Sequence, residues 1–202
     1  MVICVTRQPD PAKKPALLER TVDHLIDKPL STLTFRGLAS ALGVSSFTLV
    51  YHFGTRADLV REIIGSIATR QRGFETPFDP SDPSTEAYLD GLRRTFDLTL
   101  LPRNRALQRL EFEAQMLEAL EPDNAVTRAA HEDLQNRGRD KLMTLGLSKK
   151  DATIEARLLI DTFYGIQVGL VVNGDDARAT AAFDLALQQH AARISEQSLN
   201  SR

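Results

Sequence analysis

Gly43 stands between two short stretches that each carry a single apolar face, and this arrangement restricts the possible folds more than any other feature of the chain. Before it, Thr34 has the side chain of a helix N-cap, and Leu38, Ala39 and Leu42 fall on one helical face. After it, Val44 is apolar, Ser45 can cap a second helix, and Leu49 and Phe53 form a second face before Gly54. A glycine immediately after an apolar helical stripe suits the left-handed residue that ends a helix. Two helices joined this tightly cross steeply, and the small Ala39 fits the point of contact. Thr55 and Asp58 then make a capping-box-like start for a longer helix running to about Gly73.

The unit at about Leu33–Phe53 reads as a helix-turn-helix, in which one helix braces a second that enters the DNA major groove. The residues left off the packed face of the second helix include Ser45, Ser46, Phe47, Thr48, Val50, Tyr51 and His52, a polar and aromatic set with little charge. Hydroxyls and a phenol suit hydrogen bonds to phosphates and base edges. Arg36 and Arg56 flank the unit and can each neutralise a phosphate. The residues alone leave open a helical protein-interaction module, because hairpins with a glycine turn also occur in proteins that never touch nucleic acid.

Charge is distributed in the same sense. The whole chain has a formal net charge of −2, but residues 1–72 hold 10 Lys and Arg against 6 Asp and Glu, whereas residues 73–202 hold 15 against 21. A basic first third and an acidic remainder suit two different partners.

The stretch from Thr34 to Leu59 resembles the N-terminal domain of the tetracycline-repressor (TetR) family. Its pattern, Thr-x-Arg-x-x-Ala, then Gly-Val-Ser, a Leu, a Phe, a basic residue and a Leu, is met by Thr34, Arg36, Ala39, Gly43, Val44, Ser45, Leu49, Phe53, Arg56 and Leu59. Arg56 replaces the more usual lysine, and Phe47 and Val50 depart from the family's common residues at their positions. Either side chain can touch thymine methyls or deoxyribose, or pack against the first helix. The resemblance implies an all-α fold, with a three-helix DNA-binding domain followed by a helical ligand-binding and dimerisation domain. It implies phosphate contacts from Thr34, Arg36, Thr48, Tyr51, His52 and Arg56, and base readout by Ser45, Ser46 and Phe47. It also implies a double-stranded operator, a homodimer, a small-molecule effector and, as the usual behaviour, repression.

The expected organisation is an arm at 1–15 with Arg7, Lys13 and Lys14, a DNA-binding domain at 16–54, a connecting helix at 55–73 and a second domain at 74–202. Any signal between domains is then expected to pass through the connecting helix. The proline-rich run 75–84 is the expected junction, and only helices follow it. The expected helices run from about Ser84 to Leu101, Pro102 to 120, Pro122 to Leu145, Ser148 to Val172, and Asp175 or Asp176 to 197. The helix ending at Val172 is apolar nearly all round, so it is expected to be buried on more than one side, one of them against a second copy. Leu158, Gly165, Gly169, Val172, Phe183 and Leu187 are the expected dimer contacts. Leu92, Phe96, Leu100, Phe112, Met116, Leu134, Phe163, Tyr164 and Gln167 are candidate walls of an effector pocket, expected to be mostly apolar.

No phosphate-binding glycine loop, metal-spaced histidine pair or nucleophile elbow occurs, so no enzyme, cofactor or metal is expected; an all-α enzyme is the alternative class. His24, His52, His131 and His190 are scattered, and the consecutive His131, Glu132 and Asp133 point to different faces of a helix. One cysteine, Cys4, and the lack of a signal-like or membrane-spanning apolar run give the expectation of a cytoplasmic protein.

Overall fold

A computed structural model describes residues 12–74 and 84–200, with the side chains of 71–74 and 198–200 excepted. Among these residues the chain forms nine α-helices and no strand. They are α1 (Lys13–Leu25), α2 (Phe35–Leu42), α3 (Ser46–Phe53), α4 (Arg56–Phe74), α5 (Thr85–Thr99), α6 (Pro102–Ala119), α7 (Ala125–Thr144), α8 (Lys149–Asn173) and α9 (Asp176–Asn200). A single 3-10 turn, Leu30–Thr32, lies between α1 and α2.

The helix ends follow the local chemistry. Thr34, Ser45, Ser84 and Ser148 each accept a backbone N–H and cap α2, α3, α5 and α8. Pro102 opens α6 at a position where its missing N–H costs nothing. Gly43 closes α2 with φ 65° and ψ 35°, a left-handed geometry that a β-carbon disfavours. Gly54 is more constrained still. Its φ is 70°, and an added Cβ would meet the Asp58 carboxylate at 2.8 Å. That carboxylate cannot retreat freely, because it accepts from the Thr55 N–H at 2.9 Å and the Thr55 hydroxyl at 2.7 Å. These bonds hold the Asp58 carboxyl below its ordinary pKa.

Lys13 and Lys14 belong to α1, since a proline at the third position of a helix is sterically tolerated there. Lys14 pairs with Glu62 of α4 at 2.6 Å. Arg7 and the run 75–83 lie outside the described residues.

The first four helices bury a continuous apolar core that includes Val22, Leu25, Leu38, Leu49, Leu59, Ile63 and Ile64. Each such side chain stabilises the fold by about 1.5–3 kcal/mol on burial. This core does not stop at the DNA-binding unit, because Leu107, Leu110 and Ala114 of α6 belong to it. A polar clasp lies alongside. Arg109 of α6 donates to the carbonyls of Leu25, Ile26 and Lys28, each at 3.1 Å, at the end of α1. Its neighbour Glu113, which pairs with Arg109, accepts the Leu30 N–H at 2.5 Å. The expectation that only α4 connects the two domains is therefore corrected: α6 grips the α1–α2 link directly.

The remaining helices enclose two further apolar clusters. One joins Tyr88, Leu142, Leu147, Ala152, Ala156 and Ile194. The other joins Phe96, Leu170, Ala179, Phe183 and Leu187. Gln108, Glu111 and Gln115 on α6, with Gln167 on α8, are buried and belong to none of the three clusters.

Candidate nucleic-acid interface

Alpha-helix α3 is held from beneath and open above. Leu49 and Phe53 are buried against the first core, while Phe47 is 77% exposed, Val50 48% and Tyr51 64%. The three exposed residues are spaced i, i+3 and i+4, so they share one face. The Phe47 and Tyr51 rings lie stacked at 6.5 Å, and the Tyr51 ring meets the half-buried His52 edge-on at 5.1 Å.

The hydroxyls next to this face are partly committed. Ser45 Oγ accepts the Thr48 N–H at 3.0 Å and lies 2.8 Å from Thr48 Oγ1. Thr34 Oγ1 accepts the Gly37 N–H at 3.1 Å. Ser46 is exposed and outside this capping network. The basic residues differ in the same way. Arg36 is exposed and forms no ion pair among the described residues. Arg56 instead donates to the Leu33 carbonyl at 3.2 Å and the Leu30 carbonyl at 3.1 Å, which ties α4 to the turn before α2. Arg20, which the sequence pattern did not single out, donates to the Leu42 carbonyl at the end of α2. The structure thus brings Thr34, Arg36, Ser45, Ser46, Phe47, Thr48, Tyr51, His52 and Arg56 together on or beside one helix pair.

The expected pocket residues separate into three groups. Phe96 is core: its ring stacks on Phe183 at 4.1 Å, with Phe163 edge-on to both at 6.1 and 5.8 Å. Leu92 and Leu100 pack against the same cluster. Met116 is 63% exposed and walls nothing, a correction that follows from its place on the outer side of α6. Phe112 on α6 and Tyr164 and Gln167 on α8 lie on the two helices that carry the buried Gln108, Glu111 and Gln115, a polar seam, and Leu134 is half-buried on α7. The Tyr164 ring lies 5.9 Å from Phe112 and 5.3 Å from His131, which the sequence pattern had set aside. Gln108 and Gln115 each donate to the buried Glu111 carboxylate, at 2.8 and 3.0 Å. Burial, reinforced by the Glu111 charge, pushes the Tyr164 hydroxyl up to about 12. Gln167 is buried and finds no hydrogen-bond partner among the described residues. The seam is therefore polar where an apolar lining was expected. An open groove lies elsewhere, between α1 and α4, and is edged by Leu18, Arg61 and Val126.

The expected dimer contacts also divide. Leu158, Gly165 and Val172 lie on the exposed side of α8 together with Ile154 and Val168, at a spacing that repeats every seven residues, and Gly169 is half-buried beside them. Among the described residues, nothing beyond the helix's own neighbouring backbone lies within 4 Å of a Cβ placed on Gly165 or Gly169. Phe183 and Leu187 are corrected. They are 2% and 4% exposed because they pack inward with Phe96, while Leu185 of α9 is 56% exposed.

A second polar network escaped the sequence pattern because its members are far apart in the chain. His190 of α9 is fully buried, with Nε2 3.1 Å from the Tyr88 hydroxyl and Nδ1 3.2 Å from the Glu155 carboxylate. Arg193 donates to the same carboxylate at 2.9 and 3.0 Å. Burial lowers the His190 pKa, so the ring is neutral at pH 7, accepts from Tyr88 and donates from Nδ1 to Glu155. Among the described residues no group of His, Cys, Asp and Glu is arranged to hold a metal, and no helix is long and apolar enough to cross a membrane.

A braced, solvent-facing helix after a tight turn, joined to a larger helical domain, is the geometry of a helix-turn-helix unit. Residues 17–63 match the family model of the bacterial regulatory proteins, tetR family. The solved structures agree over nearly the whole chain. A TetR-family transcriptional regulator from Agrobacterium tumefaciens is 18% identical with a TM-score of 0.65, covering 91% of this chain and 97% of its own. The multidrug binding protein EbrR, complexed with imidazole, is 18% identical with a TM-score of 0.66, at 94% and 97% coverage. A TetR variant from Acinetobacter baumannii AYE in complex with minocycline is 18% identical with a TM-score of 0.62, at 94% and 98% coverage. No curated protein matches the chain in sequence. The chain carries the DNA-binding domain of the TetR family and has the fold of that family's transcriptional regulators.

Proposed function

We propose that the protein is a dimeric repressor that binds a palindromic operator and is released by a small-molecule effector. The observation that carries the reading is the face of α3: aromatic and hydroxyl side chains stand exposed on a helix whose opposite side is locked into the core. In the complex, α3 lies in the major groove, Ser46 and Phe47 meet base edges, and Thr34, Arg36, Thr48, Tyr51 and His52 contact phosphates. Ser45 acts mainly as the cap that orients the first turn of α3. Arg56 acts mainly through the carbonyls it holds, with its remaining N–H groups turned to the backbone of DNA.

The exposed face of α8 supports the same reading. The exposed stripe of Ile154, Leu158, Gly165, Val168 and Val172 needs an apolar partner, and Leu185 adds to it from α9. Two copies joined through α8 and α9 present two α3 helices to successive major grooves, about 34 Å apart. The effector reading rests on the polar seam, where the Tyr164 ring lies between those of Phe112 and His131 and the amides of Gln108 and Gln115 meet the buried Glu111 carboxylate. EbrR and the Acinetobacter TetR are themselves ligand-binding proteins of this fold. A ligand there touches α6 and α8 together, and α6 reaches the α1–α2 link through Arg109 and Glu113. Binding then favours dimers whose α3 helices no longer match the half-site spacing.

The test is a mobility shift of duplexes from the gene's own promoter region. Affinity is expected to fall steeply with salt and to drop about tenfold or more in Arg36→Ala and in Tyr51→Ala. Unchanged affinity in both variants would show that the face is assigned wrongly.

A further inference from the structure

The surface of α3 that a major groove would meet is apolar at its centre, and this decides what it can read. The helix Ser46–Phe53 contains no Lys, Arg, Asn or Gln. The bidentate contacts that distinguish guanine and adenine are therefore unavailable from its face. Of the first-turn hydroxyls, Ser45 and Thr48 are engaged with each other and with the backbone, which leaves Ser46 as the one exposed hydroxyl there to hydrogen-bond a base edge. What projects furthest is Phe47, at 77% exposure, with Val50 one turn later on the same face. The Tyr51 ring lies beside that of Phe47, with centroids 6.5 Å apart and the planes 25° from parallel.

Large apolar side chains exposed this far cost free energy in water unless a partner covers them. In the major groove only one base-pair feature is apolar, the 5-methyl group of thymine. We propose that Phe47 and Val50 form an apolar ridge that selects thymines at two nearby positions of each half-site, reading their methyl groups rather than hydrogen-bonding edges. This inference rests on the operator-binding reading above and adds the basis of its specificity. Phe47 and Val50 are specificity-determining residues in it, and Tyr51 is a positioning residue as well as a phosphate ligand.

Uracil tests the inference cleanly, because it pairs and hydrogen-bonds as thymine does and lacks only the methyl. The full-length protein is first used to select duplexes from a random-sequence pool. The selected operator is then resynthesised with single thymines replaced by uracil, and binding is measured for the wild type, Phe47→Ala and Val50→Ala. For the wild type, uracil at one or two positions per half-site is expected to weaken binding about fourfold each, the value of one buried methyl. Phe47→Ala is expected to lose the thymine preference at one of these positions while keeping it at the other, and Val50→Ala the reverse. Both side chains are exposed, so the melting temperatures should stay near that of the wild type. Selection of a sequence whose binding is indifferent to uracil everywhere would overturn the apolar readout and leave operator binding intact. A thymine preference that survives both substitutions would also overturn it. Selection of no sequence at all would overturn the operator reading, and this inference with it.

Discussion

The two halves of the molecule bury different kinds of side chain. The DNA-binding half has one apolar core, in which Leu25, Leu38, Leu49, Leu59, Ile63 and Ile64 are almost completely enclosed. The larger half has two apolar clusters, and its buried polar groups include Gln108, Glu111, Gln115 and Gln167 on α6 and α8, Glu118 of α6 against the start of α7, and Glu155 with His190. Apolar packing is non-directional and tolerates no voids, so it makes a stiff platform for α3. Buried polar groups require specific partners, and each arrangement of partners is a distinct state. The difference teaches where a switch of the proposed kind can be housed: the platform under α3 is almost wholly apolar, and the larger half is wired with buried hydrogen bonds.

Substitutions separate the two kinds of interior. Leu49→Ala should cause the largest loss, about 2–5 kcal/mol, because it opens a cavity under α3 at a fully buried position. Denaturant unfolding measures it, and DNA affinity should fall in step. A loss below about 1 kcal/mol would mean that the platform is plastic.

Glu155→Gln should cost less, about 1–3 kcal/mol, by leaving Arg193 and the His190 N–H with a weaker acceptor. The same network predicts a pH dependence. His190 has its folded pKa lowered from the ordinary value of 6.5, first by burial, so the unfolded chain takes up the proton more readily. Its contribution is complete above about pH 6.5 and is lost as the pH falls below that value. Unfolding midpoints measured from pH 7.5 to 5 should therefore fall, and His190→Gln should flatten this part of the profile. A profile that is unchanged in the variant would place the titration elsewhere.

The smallest effect on stability is expected from Arg109→Lys, which keeps the charge but cannot hold three carbonyls at once. Its effect on signalling should be larger than its effect on folding. Effector-induced release of DNA should weaken severalfold while the melting temperature moves by only a few degrees. Equal release in wild type and variant would return the coupling to α4 alone.

The sequence and the structure agree where the determinants are local. Thr34, Gly43, Ser45 and Gly54 each specify one backbone event, and their positions give α2, the turn and α3 to the residue. The packed face of α3 was legible for the same reason. The missed features all depend on residues distant in the chain. Phe183 and Leu187 have the apolar character of an interface, but only the path of α5 shows that Phe96 occupies them. His190 looked isolated because Tyr88 lies 102 residues away and Glu155 lies 35 away. Arg56 matched a phosphate-binding pattern, and nothing local disclosed that the Leu30 and Leu33 carbonyls hold it. The Arg109 clasp on the end of α1 spans more than 80 residues and has no local signature.

Footprinting of the full-length protein on its promoter DNA tests the central claim most directly. A dimer with α3 in the major groove should protect two related segments on the same side of the duplex, with centres about 10 base pairs apart or a whole multiple of a turn. Protection should vanish together at both segments in Phe47→Ala combined with Arg36→Ala. A single protected segment, protection without helical phasing, or a footprint that survives the double substitution would contradict the account.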